Sequence, residues 1–153
     1  MMTLTTKESG LLKDMKGQEE LCIEKYKKYA ELAKSGELKA LFEAMAKVEQ
    51  NHLTTITAMM GGTVPSVPAG QLENSNNQHC KSVQYSSDSD RQSDAFLCRD
   101  MLGTEKHVSS LYDVSIFEFK DPAARKVLNH IQAEEQQHGE QLYAYMSWNG
   151  MYS

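Results

Sequence analysis

Displaced by 86 residues, the chain falls on itself without a gap: Met15 meets Met101, Gly17 meets Gly103, Glu19 meets Glu105 and Tyr26 meets Tyr112. The same displacement sets Phe42 on Leu128, Met45 on Ile131, Glu49 on Glu135 and His52 on His138. A unit that recurs once in this way constrains the fold to two like halves. Each half reads as a pair of helices.

The apolar spacing predicts helices over about 6–34, 37–60, 93–118 and 122–148. Thr5 and Glu8 have the spacing of a capping box ahead of the first. Ser35-Gly36 is a stop between the first and second, and Gly61-Gly62 ends the second. Asp121-Pro122 supplies an N-cap and a first-turn proline to the fourth. Residues 61–92, within a Ser-, Asn-, Gln- and Gly-rich run that extends to 94, read as one long connection. Connections of that length are uncommon inside compact domains, so this one must cross the molecule or be partly disordered. The expected fold is all-α, a single domain over residues 1–153. It consists of two repeated antiparallel hairpins joined by a long crossover, the ferritin-like form of the four-helix bundle.

Taken at 3-4 spacing, each predicted helix shows a seam that should face the others. The seams read Leu12, Met15, Glu19, Cys22, Tyr26, Tyr29, Ala33; then Leu38, Phe42, Met45, Glu49, His52, Ile56, Met59. The second pair reads Cys98, Met101, Glu105, Val108, Tyr112, Ser115, Phe119; then Ala124, Leu128, Ile131, Glu135, His138, Leu142, Tyr145. Ionisable residues at mid-helix interrupt each of these apolar rows. A lone buried carboxylate costs several kcal/mol, so it must find a partner or be neutralised. Counted from the hairpin turns, all six lie at one height, roughly 24 Å from the turns at 1.5 Å per residue.

A Glu from each of two helices, with Glu-x-x-His from each of the other two, is the ligand set of a di-iron or di-manganese carboxylate centre. Carboxylate oxygens can bridge two ions, and a neutral imidazole completes each coordination sphere. The candidate ligands are Glu19, Glu49, His52, Glu105, Glu135 and His138, for two iron or manganese ions. One Glu-x-x-His is weak evidence, since a chain of this composition yields about half of one by chance. Two, each 30 residues after a Glu, arise about one time in a thousand. The competing reading is a solvated helix face that keeps the relic of an ancestral site. Tyr26 and Tyr112, seven residues after Glu19 and Glu105 on the same face, are placed to hydrogen-bond ligating carboxylates. Two buried bundle tyrosines would show the same pattern.

Other functions are disfavoured by charge and cysteine usage. A net charge of −5 gives no electrostatic footprint for nucleic acid. No apolar run approaches the roughly 20 residues of a membrane span, and the first residues lack a signal-peptide pattern. Three cysteines without a CxxC pair exclude a disulfide scaffold and a rubredoxin-type iron site. Cys22 and Cys98 fall in the seams as small core residues, while His107 and His130 face away from them. His79 and Cys80 lie in the long connection. The aromatic and Met-rich tail LYAYMSWNGMYS either covers one end of the bundle, the favoured reading, or offers a docking surface for assembly.

The segments QEELCIEKYKKYAELA, ALFEAMAKVEQNHLTTI, MLGTEKHVSSLYDVSIFEF and VLNHIQAEEQQHGEQLYAYM resemble the Coat F-domain spore coat proteins of spore-forming Firmicutes. More distantly, the ligand pattern is similar to that of ferritin, bacterioferritin and rubrerythrin. The resemblance implies that the six named residues are metal positions. It also implies redox chemistry on oxygen, peroxide or iron, and a place in the spore coat or the cytoplasm of a sporulating cell. Coat proteins and further copies of the chain are the implied partners, with an external electron donor if the activity is a peroxidase. The other reading it allows is a structural coat component without turnover.

Overall fold

The computed structural model describes residues 1–67 and 82–152. Among these it holds four helices and no strand: α1 (Thr6–Leu32), α2 (Gly36–Met60), α3 (Asp88–Glu118) and α4 (Pro122–Trp148). The expected all-α four-helix bundle is the fold observed.

Local chemistry sets the helix ends. Thr5 accepts from the Glu8 N–H while Glu8 accepts from the Thr5 N–H, closing the capping box. Ser35 caps α2 through the Leu38 N–H, and Asp121 caps α4 through the Ala124 N–H. Each such cap contributes about 1 kcal/mol. Gly62, just past α2, has φ +88°, and an added Cβ there would lie 2.9 Å from the Met1 side chain. Only glycine fits that turn, which also accepts a hydrogen bond from the Met2 N–H.

The third helix begins earlier than the apolar spacing predicts. Ser87 accepts from the Asp90 N–H, and Asp88 and Asp90 sit in the first turn, where acidic side chains favour the helix N-terminus. The connection therefore ends at residue 87 rather than 92. His79 and Cys80 fall outside the described residues.

Helix α1 packs on α2 and α3 on α4, while α1 also lies along α3 and α2 against α4. Gly62 sits beside Met2 at the start of α1, whereas Asp94 of α3 hydrogen-bonds to Lys34 and Ser35 at the far end of α1. The two ends of the connection thus lie at opposite ends of the bundle. The predicted seams are the core: all their residues are buried except Tyr29 and Ala33, which are partly so.

That core is divided. Tyr26, Phe42, Met45, Met101, Leu142 and Tyr145 belong to one apolar cluster. Leu12, Met15, Ile56, Val108, Leu128 and Ile131 belong to a second. Burying each of the larger side chains contributes about 1.5–3 kcal/mol. Between the two clusters lies a layer of carboxylates and imidazoles. In the tail, Met151 packs into the first cluster, so this part of the chain does cover an end of the bundle.

Candidate metal centre

Helical phase brings all six predicted ligands into one layer. Glu19 and Glu49 are fully buried, and Glu105, Glu135, His52 and His138 are at most 4% exposed. The imidazoles carry the geometry, since each Nδ1 points inward at carboxylates from both hairpins. His52 Nδ1 lies 3.1 Å from Glu49 Oε2, 3.0 Å from Glu135 Oε1 and 3.7 Å from Glu19 Oε2. His138 Nδ1 lies 2.9 Å from Glu49 Oε1 and 3.1 Å from Glu105 Oε1.

Two groups result whose ligand atoms lie within 4.8 Å of one another: Glu19, Glu49, His52 and Glu135; and Glu49, Glu105, Glu135 and His138. Glu49 and Glu135 belong to both. Glu49 turns one oxygen toward each imidazole, the disposition of a carboxylate able to bridge two ions.

The tyrosines cross between hairpins. Tyr112 on α3 donates to Glu19 Oε1 on α1 at 2.6 Å, and Tyr26 on α1 donates to Glu105 Oε1 on α3. The spacing placed each tyrosine on the face of the ligating carboxylates, and the bundle pairs it with the one on the opposite hairpin. Burial, and then the facing Glu105 or Glu19, hold both phenols well above their ordinary pKa, so they remain donors.

Protons neutralise this centre when no cation is bound. Burial and the neighbouring Glu49 push Glu19 up to about 8. Burial and Glu105 push Glu135 well up. Burial opposes charge on the imidazoles, but surrounding carboxylates outweigh it. They raise His138 to about 9 and His52 well above its usual value. Glu49 goes the other way: burial would raise it, yet the Glu19 carboxyl and the His138 and His52 imidazoles beside it hold it low.

Sequence reasoning missed Glu134. Its carboxylate lies 3.2 Å from His52 Nε2 and 3.1 Å from His130 Nε2. The hydrogen bond from His52, opposed by burial, holds Glu134 below its ordinary value. His130, which faces away from the seams, is only partly exposed. It lines a pocket of about 270 Å³ with His52, Thr55, Val67, Ile131 and Glu134. The only signal in the sequence is a doubled acid, Glu134-Glu135, where the first half has Val48-Glu49. His107 is exposed, as expected. Burial pushes both core thiols up, Cys98 to about 12, so they are inert packing groups.

Fold and site define a four-helix bundle with an acidic, histidine-bearing core able to hold metal. Its second hairpin is similar to the Coat F domain, whose family model matches residues 93–153. The resemblance to spore coat proteins is thus found where α3 and α4 supply Glu105, Glu135 and His138. No curated protein and no solved structure matches the chain. No helix among the described residues is long and apolar enough to cross a membrane.

Proposed function

We propose that the chain is a ferritin-like dimetal carboxylate protein of the spore coat or sporulating cell. It holds two iron or manganese ions and acts in redox chemistry on oxygen, peroxide or iron. One observation carries this reading: Glu19 Oε2, Glu105 Oε2 and Glu135 Oε2 are buried without a hydrogen-bond donor. Leaving such an acceptor empty costs about 1–3 kcal/mol, and more for a charged one. The unmatched oxygens belong to the two ligand groups that share Glu49 and Glu135. Hard oxygen donors with one imidazole per group suit iron or manganese.

Bound ions would supply one-electron steps and Lewis acidity. The chain supplies everything else. Glu49 and Glu135 hold the two positions together, Glu19 and Glu105 close them, and Nδ1 of His52 and of His138 completes one each. Tyr112 and Tyr26 fix the carboxylates by their second oxygen, and the flanking apolar clusters exclude water. Each group draws on both hairpins, so the reading takes residues 1–153 as one domain. A peroxidase of this kind needs an external electron donor, because the chain has no CxxC pair.

The Coat F match favours a second reading, a structural coat component associated with coat proteins or with its own copies. Elemental analysis separates the two when protein prepared without chelator is compared with Glu49→Ala/Glu135→Ala. About two iron or manganese per chain, lost in the variant, supports the dimetal reading and sends the assays to oxygen and peroxide. No metal, and none taken up on reconstitution, leaves the structural one.

A further inference from the structure

The two halves of the chain differ in the residues just outside the centre. Residues 86 before His130 and Glu134 are Ala44 and Val48, so the first hairpin has no counterpart to this pair. His130 and Glu134 are partly exposed, at 22% and 26%, whereas the His52 side chain behind them is 2% exposed. One carboxylate oxygen, Glu134 Oε1, contacts both imidazoles, 3.1 Å from His130 and 3.2 Å from His52. Beyond His52 stand Glu19 Oε2 and Glu135 Oε2, buried and without a donor. A partly exposed carboxylate flanked by imidazoles, with unmatched carboxylate oxygens on the far side of His52, sets cation-binding groups in succession from solvent inward. Thr55 and Val67 on the pocket wall leave it about 270 Å³, room for an ion with part of its water shell.

We propose that His130 and Glu134 form a capture site that takes a divalent cation from solvent and passes it to the His52 half of the buried centre. This rests on the metal-binding reading above. The pocket is the loading side, so ions reach the His138 half by way of the His52 half. Glu134 also orients His52, accepting from Nε2 so that Nδ1 faces the ion, as outer carboxylates do for ligating histidines.

Rapid mixing of the metal-stripped full-length chain with Co²⁺, followed by visible absorbance, tests the route. His130 touches Glu134 rather than a buried ligand, so His130→Ala is the informative arm. Uptake should slow about tenfold, the scale expected when a carboxylate that binds a metal loses its imidazole neighbour, while the end point of two ions is retained. Thr55→Trp, which narrows the pocket without touching either residue's charge, should slow it as well. Circular dichroism shows whether each variant folds. Unchanged rates in both folded variants, with two ions still bound, would overturn the capture site and leave the metal centre standing. An end point lowered in His130→Ala would also overturn it, making His130 a ligand of a resident ion. If the unaltered chain takes up no Co²⁺, the metal reading fails and the route fails with it.

Discussion

Glu8 and Asp94 lie 86 residues apart and do the same thing in opposite directions. Glu8 reaches from α1 to accept from the Lys120 N–H at the α3–α4 turn, 3.0 Å away. Asp94 reaches from α3 to the α1–α2 turn, accepting from the Lys34 N–H at 2.7 Å and the Ser35 N–H at 3.0 Å. Each hairpin thereby fastens the turn of the other, one at each end of the bundle.

Asp94→Ala should lower stability by about 1–3 kcal/mol, because it leaves the buried Ser35 N–H and the partly buried Lys34 N–H without that acceptor. Tyr85, which also donates to Asp94 at 2.8 Å, would lose that partner too. Glu8→Ala should act independently at the far end. Chemical denaturation of the double variant should return the sum of the single effects within about 0.5 kcal/mol.

The Glu8 clasp should depend on acidity. Burial would raise its pKa, but hydrogen bonds from the Thr5 and Lys120 backbone N–H groups outweigh this and hold it below 4.5. A carboxylate lowered on folding stabilises the native state fully above its unfolded value, and that contribution disappears as pH falls through the folded value. The gap in Tm between the unaltered chain and Glu8→Gln should be constant from neutral pH to about 5, then close below the carboxylate range. A gap that persists in acid would contradict the assignment.

Metal uptake should release protons. At neutral pH, Glu19 at about 8 and His138 at about 9 hold protons that a cation must displace. Affinity should therefore rise with pH through the range in which Glu19 and His138 give up their protons. Calorimetry in buffers of different ionisation enthalpy should count about one or more protons released per ion. No release at pH 7 would mean the ligands are already deprotonated.

The tyrosines should report on separate halves of the centre. Tyr112→Phe frees Glu19 and should weaken the His52 position, while Tyr26→Phe frees Glu105 and should weaken the His138 position. Losing a partner of a ligating carboxylate costs roughly 10–100-fold in metal affinity. Stepwise Mn²⁺ binding followed by paramagnetic resonance should show one weakened class per single variant and two in the double.

Metal should also hold the bundle together. Chelation ought to lower Tm, and ion at about 100 times its Kd should add about 2.7 kcal/mol by binding only the native state. Thermal scans of the Glu49→Ala/Glu135→Ala variant should be insensitive to both treatments.

The helices and six core polar residues were legible because they follow one period. Apolar residues at 3-4 spacing define the faces, and Glu49, His52, Glu135 and His138 interrupt them in phase. The start of α3 was not, since its first turn, Asp88 to Arg91, is polar throughout and held by the Ser87 cap and an ion pair between Arg91 and Asp88. Polar first turns carry no apolar period to detect. Glu134 escaped for a related reason. A charged residue beside a seam position resembles surface, and only packing shows its carboxylate against the back of His52. The direction of the tyrosine bonds likewise depends on how α1 lies along α3, which no single-helix pattern records.

Glu134 opposite Val48 has a further consequence. A lone hairpin meeting a copy of itself about a two-fold axis would present the same six core polar groups as the joined chain. In such a dimer every substitution appears twice, so both faces of the centre must stay alike. Covalent fusion of the copies lifts that constraint. One half can then acquire an acid and an imidazole while the other keeps valine and alanine, and the centre gains a front and a back.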